Sequence, residues 1–324
     1  MRSKDCTRRK DNRASDAMVA TLGYRYLSCV LRTEGRDDMR DPAASIAETS
    51  RLTAMFRALE SERSDALFHD PWARRLAGGR GDELARRNAG IASWPMVTRT
   101  KLIDDYVGAA IAEGADRVIN LAAGLDMRPH RLSLPRSLGW FEADLPDLVA
   151  AKEALVAGAE AKCRVVRRGI DLRDPGARDA FLDEALAGSE RALIITEGFI
   201  VYLSDEQVRE LAESLHARAQ IAWWVTDVAS PKVRRMLERQ TRRTFGDEAR
   251  FRFAPANGVR FFEPLGFRAE ASSSLLHEAA RLRRLPFFLR PFARGGAPQT
   301  DQSGWREWSG VVRLARAERG GSTR

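Results

Sequence analysis

A short apolar run that ends in a turn of small residues is the feature that most constrains the fold of this chain. The run begins at Val118 and passes through Ala122-Ala123-Gly124 and an acid into a segment with helical character. A second short strand, which ends at Asp144, follows about 20 residues later. A strand, a small-residue turn, a helix and an acid-tipped strand, in this order, are typical of a nucleotide-type site in an α/β protein.

Downstream of this feature, short apolar runs alternate with helical patterns, which predicts a largely parallel sheet with helices on both faces. We predict strands at 117–123, 138–144, 164–170, 191–196, 220–227, 267–273 and 307–316. Helices are predicted between most of them, at 146–158, 175–187, 205–218, 231–244 and 256–264. A loop rich in Pro and Gly, 283–303, separates the last two strands, so the final strand is expected to return antiparallel.

The segments ahead of the first strand are predicted to form a helical cap, about 45–113, over one end of the sheet. Apolar residues recur at helical intervals from Ser45, and Asp70-Pro71 begins a short helix that Gly78-Gly79 ends. A third helix covers 96–113. The cap and the sheet are expected to form one domain, 41–324. Residues 1–40 contain ten basic and six acidic residues without a sustained period, which predicts a disordered basic arm.

Composition narrows the function classes. The net charge is +9, but 48 of the 54 basic residues are Arg and they are interspersed with acids, which argues against a nucleic-acid partner. No apolar window approaches the roughly 18 residues of a membrane span, and no signal peptide is evident, so a cytoplasmic location is expected. The three Cys are far apart, which indicates neither a disulfide framework nor a metal site.

Polar residues at the predicted strand ends are the candidate ligand contacts, because ligands of open parallel sheets bind beyond the carboxyl ends of the strands. The Ala122-Ala123-Gly124 turn lets a ligand approach the backbone closely. Ala122 and Arg128-Pro129 replace two glycines of the dinucleotide pattern, so a pyrophosphate site is disfavoured. Asp144, followed by Leu145, can accept two hydrogen bonds from a ribose diol or can cap the next helix.

The third and fourth strand ends add further acids. Asp171 can accept from an adenine amino group while Leu172 packs on the ring, and Asp174 is the better helix cap. Glu197 ends an apolar strand, where a carboxylate needs a cationic partner such as a ligand ammonium. Arg99, from the helix ahead of the sheet, can clamp a carboxylate. S-adenosylmethionine is a ligand that has a diol, a purine, an ammonium and a carboxylate.

The same residues resemble the leucine carboxyl methyltransferase-like family of S-adenosylmethionine-dependent methyltransferases, in particular its bacterial branch of small-molecule enzymes. The resemblance covers most of 45–275 and is carried by Leu67 to Ala73, Arg99-Thr100 with Asp104, Asn120 to Arg131, Phe141 to Pro146 with Lys152, Asp171-Leu172-Arg173, and Glu197-Gly198 with Tyr202-Leu203. It implies a class I, Rossmann-like fold with a seven-stranded, mostly parallel sheet and an antiparallel last strand.

The resemblance also implies roles for these residues. Arg99 would hold the cofactor carboxylate, Gly124 would line the methionine portion and Glu197 would bind the amino end. Around the nucleoside, the expected contacts are Asp144 at the ribose, Asp171 and Leu172 at the adenine, and Leu145 as a further cofactor-binding residue. No metal is implied.

The methyl acceptor is less constrained. The resemblance favours an oxygen of a small molecule; a carboxylate needs no base, whereas a hydroxyl usually does. Tyr202 and His130, and more remotely His277, are the candidate bases, although the sequence favours a structural role for each of them. An apolar acceptor pocket is one interpretation, and cap packing the other, of five aromatic residues: Trp94, Phe251, Phe253, Phe261 and Phe262. Two alternatives remain open: a protein carboxyl methyltransferase, and a non-catalytic S-adenosylmethionine-binding protein.

Overall fold

A computed structural model describes residues 42–87, 93–236, 238, 251–295 and 308–317. Within these residues, seven strands form one sheet: β1 (Arg117–Leu121), β2 (Gly139–Asp144), β3 (Arg164–Gly169), β4 (Ala192–Thr196), β5 (Ile221–Ala229), β6 (Phe267–Ser274) and β7 (Ser309–Arg316). Their order is β3-β2-β1-β4-β5-β7-β6, and β7 runs antiparallel to both neighbours. The predicted sheet, mostly parallel with an antiparallel last strand, is confirmed. The predicted arm, 1–40, lies outside the described residues.

Helices account for most of the remaining described chain. They are α1 (Pro42–Ser61), α2 (Ala73–Arg87), α3 (Ser93–Ala112), α4 (Arg128–Arg131), α5 (Pro146–Leu155), α6 (Pro175–Leu186), α7 (Asp205–His216) and α8 (Leu275–Arg281). Three 3₁₀ segments span Ile200–Tyr202, Gly258–Leu265 and Phe287–Ala293. Residues 231–236 and 238 are helical, and the rest of the predicted helix 231–244 lies outside the described residues.

Four local predictions were wrong. Helix α2 does not end at Gly78-Gly79 but continues past a kink at Gly78, whose φ of 61° a glycine adopts without steric cost. The predicted helix 256–264 is a 3₁₀ segment. The sequence pattern did not reveal α8, and the predicted loop 283–303 contains the 3₁₀ segment Phe287–Ala293.

The inner strands of the sheet are buried on both faces, whereas the edge strands β3 and β6 are partly exposed. On one face, Ile119, Ile194 and Trp224 pack against α6 and α7. On the other face, Val118, Leu193 and Trp223 pack against α3. Because successive side chains of a strand point to opposite faces, six of the strands contribute to both cores, whereas the edge strand β6 contributes only to the core with α6 and α7.

Of the three helices predicted as the cap, α1 and α2 pack on the loop that follows β1, whereas α3 packs on a face of the sheet. Helices α1 and α2 share a buried cluster with Leu125 and Met127, which follow β1. A buried ion pair joins Arg57 to Asp70 at 2.8 Å, and Arg57 Nη2 donates to the Leu125 carbonyl at 2.6 Å. A buried guanidinium without such partners would be strongly destabilising, so these contacts fix the cap on the loop that follows β1.

The turn between the Gly258–Leu265 segment and β6 supplies a test of the fold. Gly266 has a φ of 83°, and an added Cβ would lie 2.3 Å from the His216 ring. We expect Gly266→Ala to lower the free energy of unfolding by about 2–4 kcal/mol, through backbone strain and overpacking. Urea unfolding measures the change.

Gly108→Ala is the matched control for this substitution. Gly108 is exposed within α3, and its added Cβ would meet nothing within 4 Å. Removal of a helical glycine should raise stability by about 0.5–1 kcal/mol. Equal unfolding midpoints for the two variants would contradict the geometry of the Gly266 turn.

Candidate cofactor site

The turn after β1 has the left-handed backbone that a close ligand approach requires. Ala122 has a φ of 58° and Gly124 a φ of 48°. The Ala122 and Ala123 N–H groups donate to the Ala143 carbonyl at 2.9 and 3.3 Å, so the turn is tied to β2. At Gly124 an added Cβ would lie 3.1 Å from Ser50 Oγ, which places α1 of the cap directly against this turn.

Asp144 is fixed at the end of β2 by the same turn. Its Oδ2 accepts from Gly124 N at 2.6 Å and its Oδ1 from Leu145 N at 2.8 Å. Burial raises the pKa of Asp144, although these two N–H groups act to lower it. The side chain does not cap α5, so the capping alternative fails. Each oxygen retains a lone pair, which leaves the carboxylate able to accept from a diol.

Arg99 and Glu197 lie in direct contact above the ends of the sheet. Arg99 Nε donates to Glu197 Oε1 at 2.9 Å, and Arg99 Nη1 lies 3.4 Å from Asp227 Oδ2. The other oxygen of Asp227 accepts from Gly198 N at 2.6 Å. Asp227 therefore holds both the guanidinium and the turn that carries Glu197.

Arg128 supplies the second cation of this group and is only 2% exposed. It donates to Glu197 Oε2 at 2.8 Å, to Asp126 Oδ2 at 2.6 Å and to Asp104 Oδ1 at 2.7 Å. Burial alone would raise the pKa of Glu197, but Arg128 and Arg99 lower it on balance. Glu197 is thus held as a carboxylate at neutral pH.

Together these side chains form what we call the strand-end ion network: Arg99, Asp104, Asp126, Arg128, Arg131, Glu197 and Asp227. Arg131 closes it by donating to both oxygens of Asp104 at 2.7 Å. Four carboxylates face three guanidinium groups. The formal charge is therefore −1, which favours a cationic ligand at this edge of the sheet.

The predicted adenine contacts lie apart from this network, at the end of β3. Asp171 pairs with Arg173 at 2.7 Å, and this hydrogen bond lowers the pKa of the Asp171 carboxyl. Leu172 is buried in the core that contains α6. The prediction for Asp174 is confirmed, since its side chain accepts from Gly176 N and Ala177 N at the start of α6.

The three candidate bases differ in their neighbouring side chains and in their pKa shifts. Tyr202 stacks on Phe251 with ring centroids 5.3 Å apart, and burial raises its pKa to about 12. His130 lies against β3, with Nε2 3.0 Å from Arg167 Nη2, and burial together with Arg167 lowers its pKa. His277 is on α8, where its Nε2 lies 3.0 Å from the Gly295 carbonyl oxygen. Of these three residues, only Tyr202 is close to Glu197 in sequence, because it is the last residue of the 3₁₀ segment Ile200–Tyr202.

The five aromatic residues do not line one pocket. Phe253, Phe261 and Phe262 are buried in edge-to-face contact with one another, and Phe262 also packs on Trp224 of β5. Trp94 packs partly buried on the opposite core. Phe253, Phe261 and Phe262 therefore fill the core of the sheet instead of packing the cap, and Phe251 remains as the aromatic neighbour of Tyr202.

The sequence interpretation missed Asp126, Arg128 and Asp227 as parts of the site. Asp227 lies near the end of an apolar strand, as do Asp144 and Glu197, so the strand-end rule could have found it. Arg128 carried no comparable signal, because Asp104 and Glu197, with which it pairs, are distant in sequence. Asp126 pairs locally, with Asn120 and Arg128, so its part in the site follows from that of Arg128.

The described residues contain neither a metal-ligand cluster nor a helix that could span a membrane. In the part of the chain that the structure describes, no three or more His, Cys, Asp or Glu side chains are grouped to hold a metal ion. Across the described helices, none combines the length and apolar character needed to cross a membrane.

The left-handed Ala122 gives a test of the turn. A non-glycine residue in this conformation is strained, so Ala122→Gly should raise the free energy of unfolding by roughly 0.5–1 kcal/mol. Ala123→Gly, one residue on and without a left-handed φ, should instead lower it by a similar amount. Chemical denaturation of the pair provides the measurement, and destabilisation by both variants would contradict the turn geometry.

Comparison with solved structures supports the fold. A crystal structure of a duf574 family protein from Streptomyces avermitilis matches 83% of this chain and 97% of its own, with a TM-score of 0.52 and 11% identity. A proposed methyltransferase from Thermobifida fusca matches 83% of this chain and 94% of its own, with a TM-score of 0.50 and 14% identity. At these identities the likeness concerns the fold alone.

Curated relatives share more of the sequence. A proposed S-adenosyl-L-methionine-dependent methyltransferase of Parafrankia is 36% identical over 181 residues, 52% of this chain and 58% of that protein. Similar proteins of Streptomyces coelicolor and Mycobacterium tuberculosis are 36% and 34% identical, over 49% and 56% of this chain and 60% of each relative. The chain thus matches about three fifths of the length of these relatives.

The family profile described as leucine carboxyl methyltransferase matches residues 50–216. This range includes the cap helices, the turn after β1, Asp144 and Glu197. The matched range contains 167 of the 324 residues, which is more than half of the chain. The protein is therefore a member of the leucine carboxyl methyltransferase family.

Proposed function

We propose that this protein is an S-adenosylmethionine-dependent methyltransferase that transfers a methyl group to an oxygen of a small-molecule acceptor. The observation that carries the proposal is the contact between Arg99 and Glu197 beside the turn at Gly124 and Asp144. One cation and one anion in contact complement the two ends of an amino acid. A carboxylate held beside them complements a ribose diol.

The charge of the site fits the same ligand. The strand-end ion network has a formal charge of −1, whereas S-adenosylmethionine carries a carboxylate, an ammonium and a sulfonium and so a net positive charge. Glu197 keeps a lone pair on each oxygen in addition to its bonds with Arg99 and Arg128. An arriving ammonium therefore finds an acceptor that is already oriented.

We assign the roles of the chain as follows. Arg99 holds the cofactor carboxylate, Glu197 the ammonium and Asp144 the ribose, while Gly124 leaves room at the methionine portion. Leu145 continues the ribose side, and Asp171 with Leu172 forms the adenine side, for which Asp171 must exchange its bond with Arg173. When bound, S-adenosylmethionine supplies an electrophilic methyl group on sulfur. The protein's contribution is then alignment and exclusion of water.

A carboxylate acceptor fits better than a hydroxyl. The family's description names a carboxyl group, which is nucleophilic without a base. Tyr202, with a pKa raised to about 12 by burial, stays protonated near pH 7 and can donate a hydrogen bond rather than remove a proton. His130 points its Nε2 at Arg167 on β3. A cytoplasmic location and a small, rather than protein, acceptor remain predictions.

Isothermal titration with S-adenosylmethionine tests the site. We expect micromolar binding by the wild type. Asp144→Ala removes the diol acceptor, and Glu197→Gln removes the charge that faces the ammonium, so each should weaken binding at least about tenfold. Asp174→Ala is the control, because this strand-end carboxylate caps α6 and should not alter affinity. Equal affinities for all four proteins would refute the assigned site.

Mass spectrometry with labelled S-adenosylmethionine tests the acceptor class. Pools of small carboxylic acids and phenols are incubated with the protein, and we expect label in the carboxylic acids. Label in phenols alone would contradict the carboxylate assignment. Label retained on a protein band would indicate a protein carboxyl methyltransferase, and tight cofactor binding without transfer to any pool would indicate a non-catalytic binding protein.

A further inference from the structure

The 3₁₀ segment Phe287–Ala293 is apolar in sequence but contributes nothing to the core. None of its seven residues is buried, although four are large and apolar: Phe287, Phe288, Leu289 and Phe292. Phe287 is 79% exposed, against 38% for Leu59, the other large apolar residue that is exposed in the described part of the chain. Single exposed apolar residues are ordinary, but a contiguous apolar ribbon marks an interaction surface.

The same region is strongly basic. Residues 279–300 contain five Arg and neither Asp nor Glu. Arg281 pairs with Glu278, and Arg284 is taken up by the cap. Within the described ranges, no carboxylate lies within ion-pair distance of the other three: Arg283, Arg290 and Arg294. Positive charge therefore surrounds the exposed ring of Phe287 and the half-buried apolar side chains beside it.

The ribbon is held in place at both ends. Arg284 Nη2 lies 2.8 Å from Glu60 Oε1 in a buried pair, and Arg284 Nη1 lies 3.1 Å from Asp65 Oδ2. At the other end, His277 Nε2 lies 3.0 Å from the Gly295 carbonyl oxygen. With three residues per turn, Phe287 and Arg290 share one edge of the 3₁₀ segment. The exposed ring of Phe287 and the neighbouring guanidinium groups are thus presented on a supported backbone.

We propose that this surface, formed by Arg283, Phe287, Leu289, Arg290, Phe292 and Arg294, docks the protein on an anionic lipid bilayer. Aromatic side chains enter the headgroup region, and Arg attracts anionic lipids with a gain of about fivefold in affinity per residue. Repulsion between positive charges disfavours two other occupants of this surface. One is the segment 1–40, which has ten basic and six acidic residues, and the other is a second copy of the chain, which would bring the same Arg cluster.

Vesicle flotation of the full chain tests the proposal. The vesicles are pure phosphatidylcholine or phosphatidylcholine with one third phosphatidylglycerol. We expect binding to the anionic vesicles only, with a loss of about tenfold or more when ionic strength is raised to ~0.5 M. Arg290→Glu with Arg294→Glu should abolish flotation, and Phe287→Ser should reduce it about fivefold or more.

Two matched controls separate this surface from general charge and apolarity. Arg136→Glu changes an exposed Arg ahead of β2, and Leu59→Ser removes the other exposed large apolar side chain. Both should float as the wild type does. Flotation of the double Arg variant at the wild-type level would overturn the proposal, because binding would then arise elsewhere, for example in 1–40. Binding to single-stranded RNA but not to vesicles, lost in the same variants, would overturn it in favour of nucleic acid.

Discussion

The buried guanidinium of Arg128 is the interaction on which the rest of the site depends. It joins Asp104 of α3, Asp126 of the turn after β1 and Glu197 at the end of β4. A cation removed from water is tolerated only when it is fully paired, so these three elements cannot separate without a large cost. These contacts therefore hold the cap, the turn after β1 and the sheet in one arrangement at the carboxyl edge of the sheet.

This arrangement explains how the proposed ligand contacts are oriented in advance. Glu197 receives Arg128 on one oxygen and Arg99 on the other, while Asp227 restrains Arg99 and the Gly198 N–H. A zwitterionic ligand end would add its ammonium to the remaining lone pairs of Glu197 and its carboxylate to Arg99, while the contact between these two side chains is kept. The buried acids and bases are therefore better understood as orientation devices than as sources of stability.

Local patterns predicted much of the fold. All seven predicted strands begin within two residues of their observed starts, because strands are short runs of regular pattern bounded by turns. The patterns failed where local and tertiary preferences differ. Gly78 looked like a helix end but is a kink. For Phe253, Phe261 and Phe262 the sequence left a pocket and cap packing both open, and they fill the core beside Trp224. Aromatic content alone cannot distinguish a pocket from a core.

The sequence by itself determined the strand ends, and with them Gly124, Asp144 and Glu197, because strand period and turn chemistry are local properties. Only the tertiary structure decided which charges meet. Arg99 reaches Glu197 across 98 positions and Asp227 across 128, and Arg284 reaches Glu60 across 224. Such pairs depend on strand order and helix packing, which no local pattern specifies. The same packing left Phe287 exposed, where its sequence context would equally fit a core.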